Sequence, residues 1–419
     1  MKMSFVFVGF HIFIIMNAGL CINLYIQLFT LYMKKLTALL ITFALSTSVF
    51  GAAVETLDLS LAQDSINSFE SKLYQTLSST EGNVNYSAIS IYSLLYALQR
   101  GASGQTKSQI NQVIYLDPSQ EADNELKAII SGTEHMTNSF WYKKSLNIQG
   151  DYKQFTKNYD FIIKPVDFYQ GPKVRKEINS FISKETNKLI ENFLQEDLPV
   201  STQLVLLNTL YFNQKWKSAF YEYDTREEAF YKNAQAQTQV AMMHKTASMP
   251  YYEDENFQII ELDYENQRYS MIVLLPKDYE YDFTKTDLHS QLQKYKASKG
   301  YSRVQLSFPK FDLTSKYNLV PILQKFGMTD AFDPAQSDLS KIFAEDQNIF
   351  VDSAIHQVRI QVNEKETKAA AVTMFASKAT AAMPERPPIV FKADHPFLYV
   401  IRDNELGINL FTGIVREPK

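Results

Sequence analysis

VNEKETKAAAVTMFASKATAAMPERPP, residues 362–388, stands about thirty residues before the end of a 419-residue chain. Taken at every second residue from Thr367, one set is Thr367, Ala369, Ala371, Thr373, Phe375, Ser377 and Ala379, small or apolar throughout. The alternate set, Glu366, Lys368, Ala370, Val372, Met374, Ala376 and Lys378, holds every charge between Glu366 and Lys378. Successive side chains of a strand point to opposite faces, so the first set can be buried on one face of a sheet. Three alanines in a row, few β-branched residues and a Pro-rich exit nevertheless make a poor resident strand. Alanine with Glu and Lys also favours helix, so composition alone leaves a surface helix and linker as the ordinary reading. A segment able to enter a sheet, yet outside it at first, suggests a stored conformational change.

The surrounding sequence bears on the choice. Glu364-Lys365-Glu366-Thr367 followed by Ala369-Ala370-Ala371-Val372-Thr373 resembles the proximal hinge of a serpin reactive-centre loop. Ala393-Asp394-His395-Pro396-Phe397-Leu398-Tyr399-Val400-Ile401-Arg402-Asp403, then Leu410-Phe411-Thr412-Gly413, is similar to the serpin C-terminal signature. Residues 83–90, NVNYSAIS, resemble the family's entry to its buried central helix, with Ala88 where proline is usual. Residues 204–212, LVLLNTLYF, with Lys215, Trp216 and Phe220, resemble its central strand and the turn after it. Residues 240–243, 306–311 and 326–332 match further family segments in family order, so the resemblance covers essentially everything after Ala53. It implies an α+β serpin fold: three β-sheets, about nine helices and an exposed reactive-centre loop on one domain, residues 54–419.

Composition is that of an ordinary globular protein, 45% hydrophobic and 21% charged. No internal repeat, low-complexity tract or Gly/Ser linker divides the chain. Residues 33–53, MKKLTALLITFALSTSVFGAA, show the basic start, apolar stretch and small-residue end of a secretory signal peptide, with cleavage after Gly51 or Ala53. Residues 4–32 carry no formal charge and are long enough to span a bilayer. A second complete signal after a membrane helix has no obvious use, so residues 1–32 are expected to be a start-site artefact, with translation beginning at Met33. An anchored surface protein is the alternative. Without Lys2, Lys34 and Lys35, 39 basic residues face 46 acidic ones, a formal −7. That balance gives no global attraction for nucleic acid. The only cysteine, Cys21, precedes Met33, so the processed chain has neither disulfides nor a cysteine-based zinc site. A secreted bacterial member, extracellular or periplasmic, is the expectation.

Apolar patterning predicts a buried helix over 89–100 with a glycine stop at Gly101. It predicts an amphipathic helix over 176–194, a strand over 204–212 buried on both faces, and strands over 269–275 and 304–311. A hairpin is expected over 397–402 and 409–415, turning at 404–407, within long antiparallel sheets. No enzyme constellation is found. The six histidines show no HExxH or paired metal spacing, and Gly-x-Ser-x-Gly, a Walker loop and a dinucleotide fingerprint are absent. Asp394 and His395 are adjacent, and on a strand they would point to opposite faces. The sequon Asn85-Tyr86-Ser87 falls in a segment expected to be buried. No metal or cofactor is called for.

The resemblance implies suicide inhibition of a serine protease by a monomer. The protease attacks the loop, an acyl-enzyme forms, and residues from about Thr367 to Thr380 insert as a new strand while the distorted protease fails to deacylate. It further implies a sheet-opening cluster of Ser87, Ser90, Asn208 and His356, an ion pair of Lys310 with Glu364 at the top of the opening, and Trp216 nearby. By itself His356 would be an ordinary core or surface histidine, and Lys310 with Glu364 an ordinary surface pair. Glu366 departs from the family, which usually has glycine there, and a stiffer hinge would slow insertion. Counting from Glu364 puts the scissile bond at Thr380–Ala381, whereas counting back from Phe391 gives Met383. Met383-Pro384 is a poor scissile bond, because proline lacks the amide hydrogen. Thr380 among alanines suits an elastase-like pocket; a trypsin-like enzyme cutting at Lys378 and a subtilisin-like enzyme are the rivals. The alternative function is a non-inhibitory serpin acting as carrier, chaperone or interaction protein.

Overall fold

A computed structural model of the chain describes residues 58–344, 349–364 and 387–419. From Leu59 onward these residues form one unit. The expected leader and membrane span lie outside the described residues. So do Glu366, Thr367, Ala369, Ala370, Ala371, Val372, Thr373, Thr380 and Ala381.

The first helix, α1 (Ser60–Leu77), is followed by a short strand, β1 (Val84–Tyr86), and the central helix, α2 (Ala88–Gly101). Every α2 residue but Arg100 is buried, as its nearly all-round apolarity predicts. Ser87 caps it, its Oγ accepting from the Ser90 N–H at 3.3 Å. Three further helices are α3 (Gly104–Val113), α4 (Gln120–Gly132) and α5 (Gly150–Asn158), with β2 (Met136–Lys143) between the last two. β3 (Ile162–Val166) then leads to α6 (Gly171–Glu185).

β4 (Leu204–Phe212) is buried along its full length, as its unbroken apolar run predicts. Leu204, Leu206 and Leu210 join the main core, while Val205 and Leu207 join a second cluster with Trp141, Ile178, Ile182 and Phe193. β4 lies in a five-stranded sheet whose other members include β10 (Phe311–Asn318) and β11 (Ser353–Val362), in the order β10-β11-β4-β2-β3. The β10–β11 and β4–β2 pairs are antiparallel, whereas β11–β4 and β2–β3 are parallel. The expectation of antiparallel sheets thus holds for two of these four pairings and not for the parallel two, since side-chain period two is the same in both strand directions.

The remaining strands are β5 (Arg226–Asn233), β6 (Ala236–Glu253), β7 (Phe257–Asp263), β8 (Tyr269–Pro276), β9 (Gly300–Pro309), β12 (Ile389–Lys392), β13 (Phe397–Asp403) and β14 (Ile408–Val415). The helices α7 (Leu288–Ser298) and α8 (Leu319–Lys325) complete the chain. Among the described residues hydrogen bonding yields two sheets rather than three, and eight α-helices rather than about nine. The sheets fuse because β6 runs unbroken for 18 residues, pairing with β5 and β9 along its length and with β7 at its end. The expected C-terminal hairpin is present, β13 pairing with β14 around residues 404–407.

Two helix expectations need correction. α6 ends at Glu185, and Asn187 and Lys188 take left-handed φ values of 49° and 64°. Ile190, Phe193 and Leu194 still pack in the same cluster as Ile178 and Ile182, so the apolar spacing continues past the helix. Gly101 is the last helical residue of α2 and is not in the left-handed region, so it is no left-handed stop. Its role is close approach: a Cβ added there would lie 2.0 Å from Ile342 Cγ1. Among the described residues no helix is long and apolar enough to cross a membrane.

The packing at Gly101 yields a stability prediction. Gly101→Ala should destabilise the protein by about 1–3 kcal/mol through overpacking, read from the urea unfolding midpoint. Adding Ile342→Ala should cost less than the two single effects summed, because the two side chains compete for one space. Strict additivity would show that the contact is not the reason for the glycine.

Candidate functional site

The parallel seam between β4 and β11 carries a buried polar row. Asn208 pairs in register with His356 across the seam and with Asn138 on its other side, and Tyr317 pairs with His356. Beneath lies the N-terminal half of α2, which supplies Ser87, Ser90 and Ser93. The four residues expected to meet do so.

The hydrogen bonds assign the histidine. The Ser87 N–H donates to His356 Nε2 at 3.2 Å, so Nε2 is the acceptor and Nδ1 carries the proton toward Asn208 Oδ1. Asn208 Oδ1 also accepts from Ser90 Oγ at 2.8 Å. The Asn208 amide donates to the Ser90 carbonyl at 3.1 Å and to Asn138 Oδ1 at 2.7 Å. The Asn138 amide in turn donates to Ser93 Oγ at 2.9 Å. Every hydrogen-bonding position of the Asn208 side chain is thus used. Burial pushes the His356 pKa down to about 3, so the ring is neutral at physiological pH.

Asn138 and Ser93 were not anticipated. The available signal was Thr137-Asn138-Ser139, three polar residues near the start of an otherwise apolar strand, all of them buried. On the opposite face of the seam, Thr209 and Gln357 pair in register, and among the described residues Thr209 Oγ1 and Gln357 Oε1 have no hydrogen-bond partner.

At the C-terminal end of β11 a second polar group holds the residue before the quoted Ala-rich segment. Lys310 Nζ lies 2.8 Å from Glu364 Oε2, and Thr225 Oγ1 donates to Glu364 Oε1 at 2.7 Å. Burial alone would raise the Glu364 carboxyl pKa, but the bonds from Lys310 and Thr225 outweigh it and hold the group below the usual range. Trp216 Nε1 donates to the Asn363 carbonyl at 3.0 Å, its ring stacked on Tyr264 at 4.5 Å. Lys310, Glu364 and Trp216 thus lie together at the C-terminal end of β11. Thr225 was missed, because nothing in its local sequence signals a contact with a residue 139 positions away.

Asp394 and His395 are a correction. They lie on a bend between β12 and β13, not on a strand, and Asp394 Oδ1 meets His395 Nδ1 at 3.0 Å. His395 Nε2 lies 2.7 Å from the Pro276 carbonyl, and Tyr279 both stacks on the ring and donates to Asp394 Oδ1 at 3.1 Å. The tyrosine hydroxyl braces the bend. Asn85 of the sequon is fully buried, as expected. Among the described residues no group of three or more His, Cys, Asp or Glu is arranged to hold a metal ion.

Comparison with known proteins agrees with this geometry. The family profile "Serpin (serine protease inhibitor)" matches residues 64–418. A serpin-like protein of Thermococcus kodakarensis is 31% identical over 369 residues, covering 85% of each chain. Leukocyte elastase inhibitor of Equus caballus is 30% identical over 373 residues, covering 84% of this chain and 97% of its own. Among solved structures, native protease nexin-1 with heparin superposes with a TM-score of 0.78 at 26% identity, covering 86% of this chain and 100% of that one.

The neutral histidine sets a pH dependence. An unfolded histidine protonates near pH 6.5 and the folded one near pH 3, so between these values the unfolded chain binds the extra proton. Stability therefore falls as pH drops below about 6.5, by up to ~1.4 kcal/mol per pH unit from this group. His356→Gln should flatten the change in urea-unfolding free energy between about pH 6.5 and about pH 5, above most carboxylate titration. Parallel curves for the two proteins would count against a neutral, buried His356.

Proposed function

Because the chain belongs to the serpin family, we propose that it inhibits serine proteases as a suicide substrate. The observation that carries the reading is the parallel β4–β11 seam. A segment that leaves the C-terminal end of β11 and turns back into the seam runs antiparallel to both neighbours. It thereby replaces one parallel pairing by two antiparallel ones. Residues 365 onward are that segment by sequence, and their small set from Thr367 to Ala379 suits a buried face.

The seam's chemistry supports opening. Asn208 and His356 cross it through hydrogen bonds that an entering strand must break and can replace. Thr209 Oγ1 and Gln357 Oε1, buried and without a hydrogen-bond partner among the described residues, are available to new partners. Lys310, Thr225 and Glu364 fix the point from which the segment departs.

The protease cuts at Thr380–Ala381 and is held as an acyl-enzyme while residues 367–380 insert. A shallow, elastase-like pocket fits Thr380 among alanines, and the similarity to an elastase inhibitor points the same way; a subtilisin-like target is the next choice. The chain acts as a monomer and is exported through residues 33–53, to the exterior or periplasm if its source is bacterial. The N-terminal sequence of the exported protein tests that part.

Mixing the protein with a protease panel and running denaturing gels is the direct experiment. A stable covalent complex with an elastase-like enzyme, releasing a fragment that begins at Ala381, is expected. A fragment beginning at Ala379 moves the bond to Lys378 and the target to a trypsin-like enzyme. Cleavage of the loop with no complex by any protease would instead support the non-inhibitory role, to which Glu366 in place of glycine lends some weight.

Two variants separate the hinge from the target. Glu366→Gly should raise the ratio of complex to cleaved product, and an unchanged ratio would clear Glu366 of slowing insertion. Loop cleavage should raise the thermal unfolding temperature of the natural protein, whereas Thr367→Arg should lose that gain by forcing a charge toward the sheet interior.

A further inference from the structure

A second polar site lies away from the opening seam. The end of α2, the body of α3, the start of α5 and the turn at residues 340–341 enclose a cleft of about 480 Å³. Three cations line it, Arg100, Lys107 and Lys341, against one acid, Asp151. Arg100 is partly engaged, with Nη1 3.5 Å from Asp123 Oδ1 and its guanidinium over the Phe155 ring at 5.7 Å. Among the described residues, Lys107 and Lys341 make no ion pair and no side-chain hydrogen bond.

Lys107 is the unusual member. It is half-buried, not a free surface lysine. Burial first, then the nearby charges of Lys341 and Arg100, holds its ammonium below the usual lysine range. Three cations to one lining acid in a partly desolvated cleft repel one another, and an anion entering it relieves that repulsion. Gln149 and Ser340 also line the cleft, but their polar groups are turned to local partners. The Gln149 amide donates to the carbonyls of Ser340 and Phe343, and Ser340 Oγ donates to Asp338 Oδ1. The recognition chemistry is therefore that of the cations.

We propose that this cleft binds a compact oxyanionic ligand bearing two or more charges, a diphosphate or a multiply sulfated sugar, through Arg100, Lys107 and Lys341. The volume suits a diphosphate or a short sulfated sugar, not an extended chain wholly inside it. The site is independent of protease inhibition, and its test needs no protease.

Isothermal titration of the intact protein at low salt, with inorganic pyrophosphate and separately with a sulfated disaccharide, reads the site. Binding is expected for at least one probe and should weaken as added salt screens the cations. Lys107→Gln and Lys341→Gln should each weaken it by about tenfold, the loss of one charge-assisted hydrogen bond. Lys157→Gln, an exposed lysine elsewhere on α5, should leave it unchanged. The tighter probe identifies the phosphate or the sulfate source. Because Lys341 is exposed, its variant should fold even if the Lys107 variant does not. Absence of binding by both probes at millimolar concentration, or equal binding by the natural protein and Lys341→Gln, would overturn the assignment.

Discussion

The hydrogen bond between Asn208 and His356 crosses the parallel seam of the five-stranded sheet. Its two strands run parallel and are not sequence neighbours, so no turn ties them together at that point. Their backbones carry the pairing, but the side-chain row beneath is what determines how the sheet sits on α2. A fully satisfied polar cluster in a dry interior is strong and directional, and it fails as a unit once one member is displaced. Placing such a cluster at a seam ties β4, β11 and β2 to α2 through one connected set of hydrogen bonds.

The polar group around Glu364 acts at the other end of the same strand. A carboxylate that is almost completely buried yet charged needs both Lys310 and Thr225, one from the β9–β10 connection and one from just before β5. It therefore joins the five-stranded sheet to the edge of the larger one. Movement at the end of β11 must disturb that junction or be guided by it.

Much of this was legible from sequence where the physics is local. The length and apolarity of residues 204–212 require a strand buried on both faces, and the near-continuous apolarity of α2 requires a central helix. What escaped depends on partners far along the chain. Period two carries no information about strand direction, so the parallel seam was invisible. The helical spacing over 176–194 ran on because Ile190, Phe193 and Leu194 face the same core as α6 without continuing it. In sequence Gly101 reads as a helix stop, because the neighbour that requires a glycine there, Ile342, is remote. Asn208 and His356 were placed by family resemblance, whereas Asn138, Ser93 and Thr225 follow only from register and packing.

The strands that follow the Ala-rich segment have a bearing on what a cut within it leaves behind. β13 and β14 lie inside the nine-stranded sheet, between β8 and β1, and their apolar side chains are almost wholly withdrawn from water. The final stretch of chain is thus a structural keystone and not an appendage. Breaking one peptide bond upstream of β12 divides the polypeptide into two molecules by covalent count, while the particle remains one. The short piece can depart only if the core is dismantled, so chain continuity and physical integrity are separate properties in this protein.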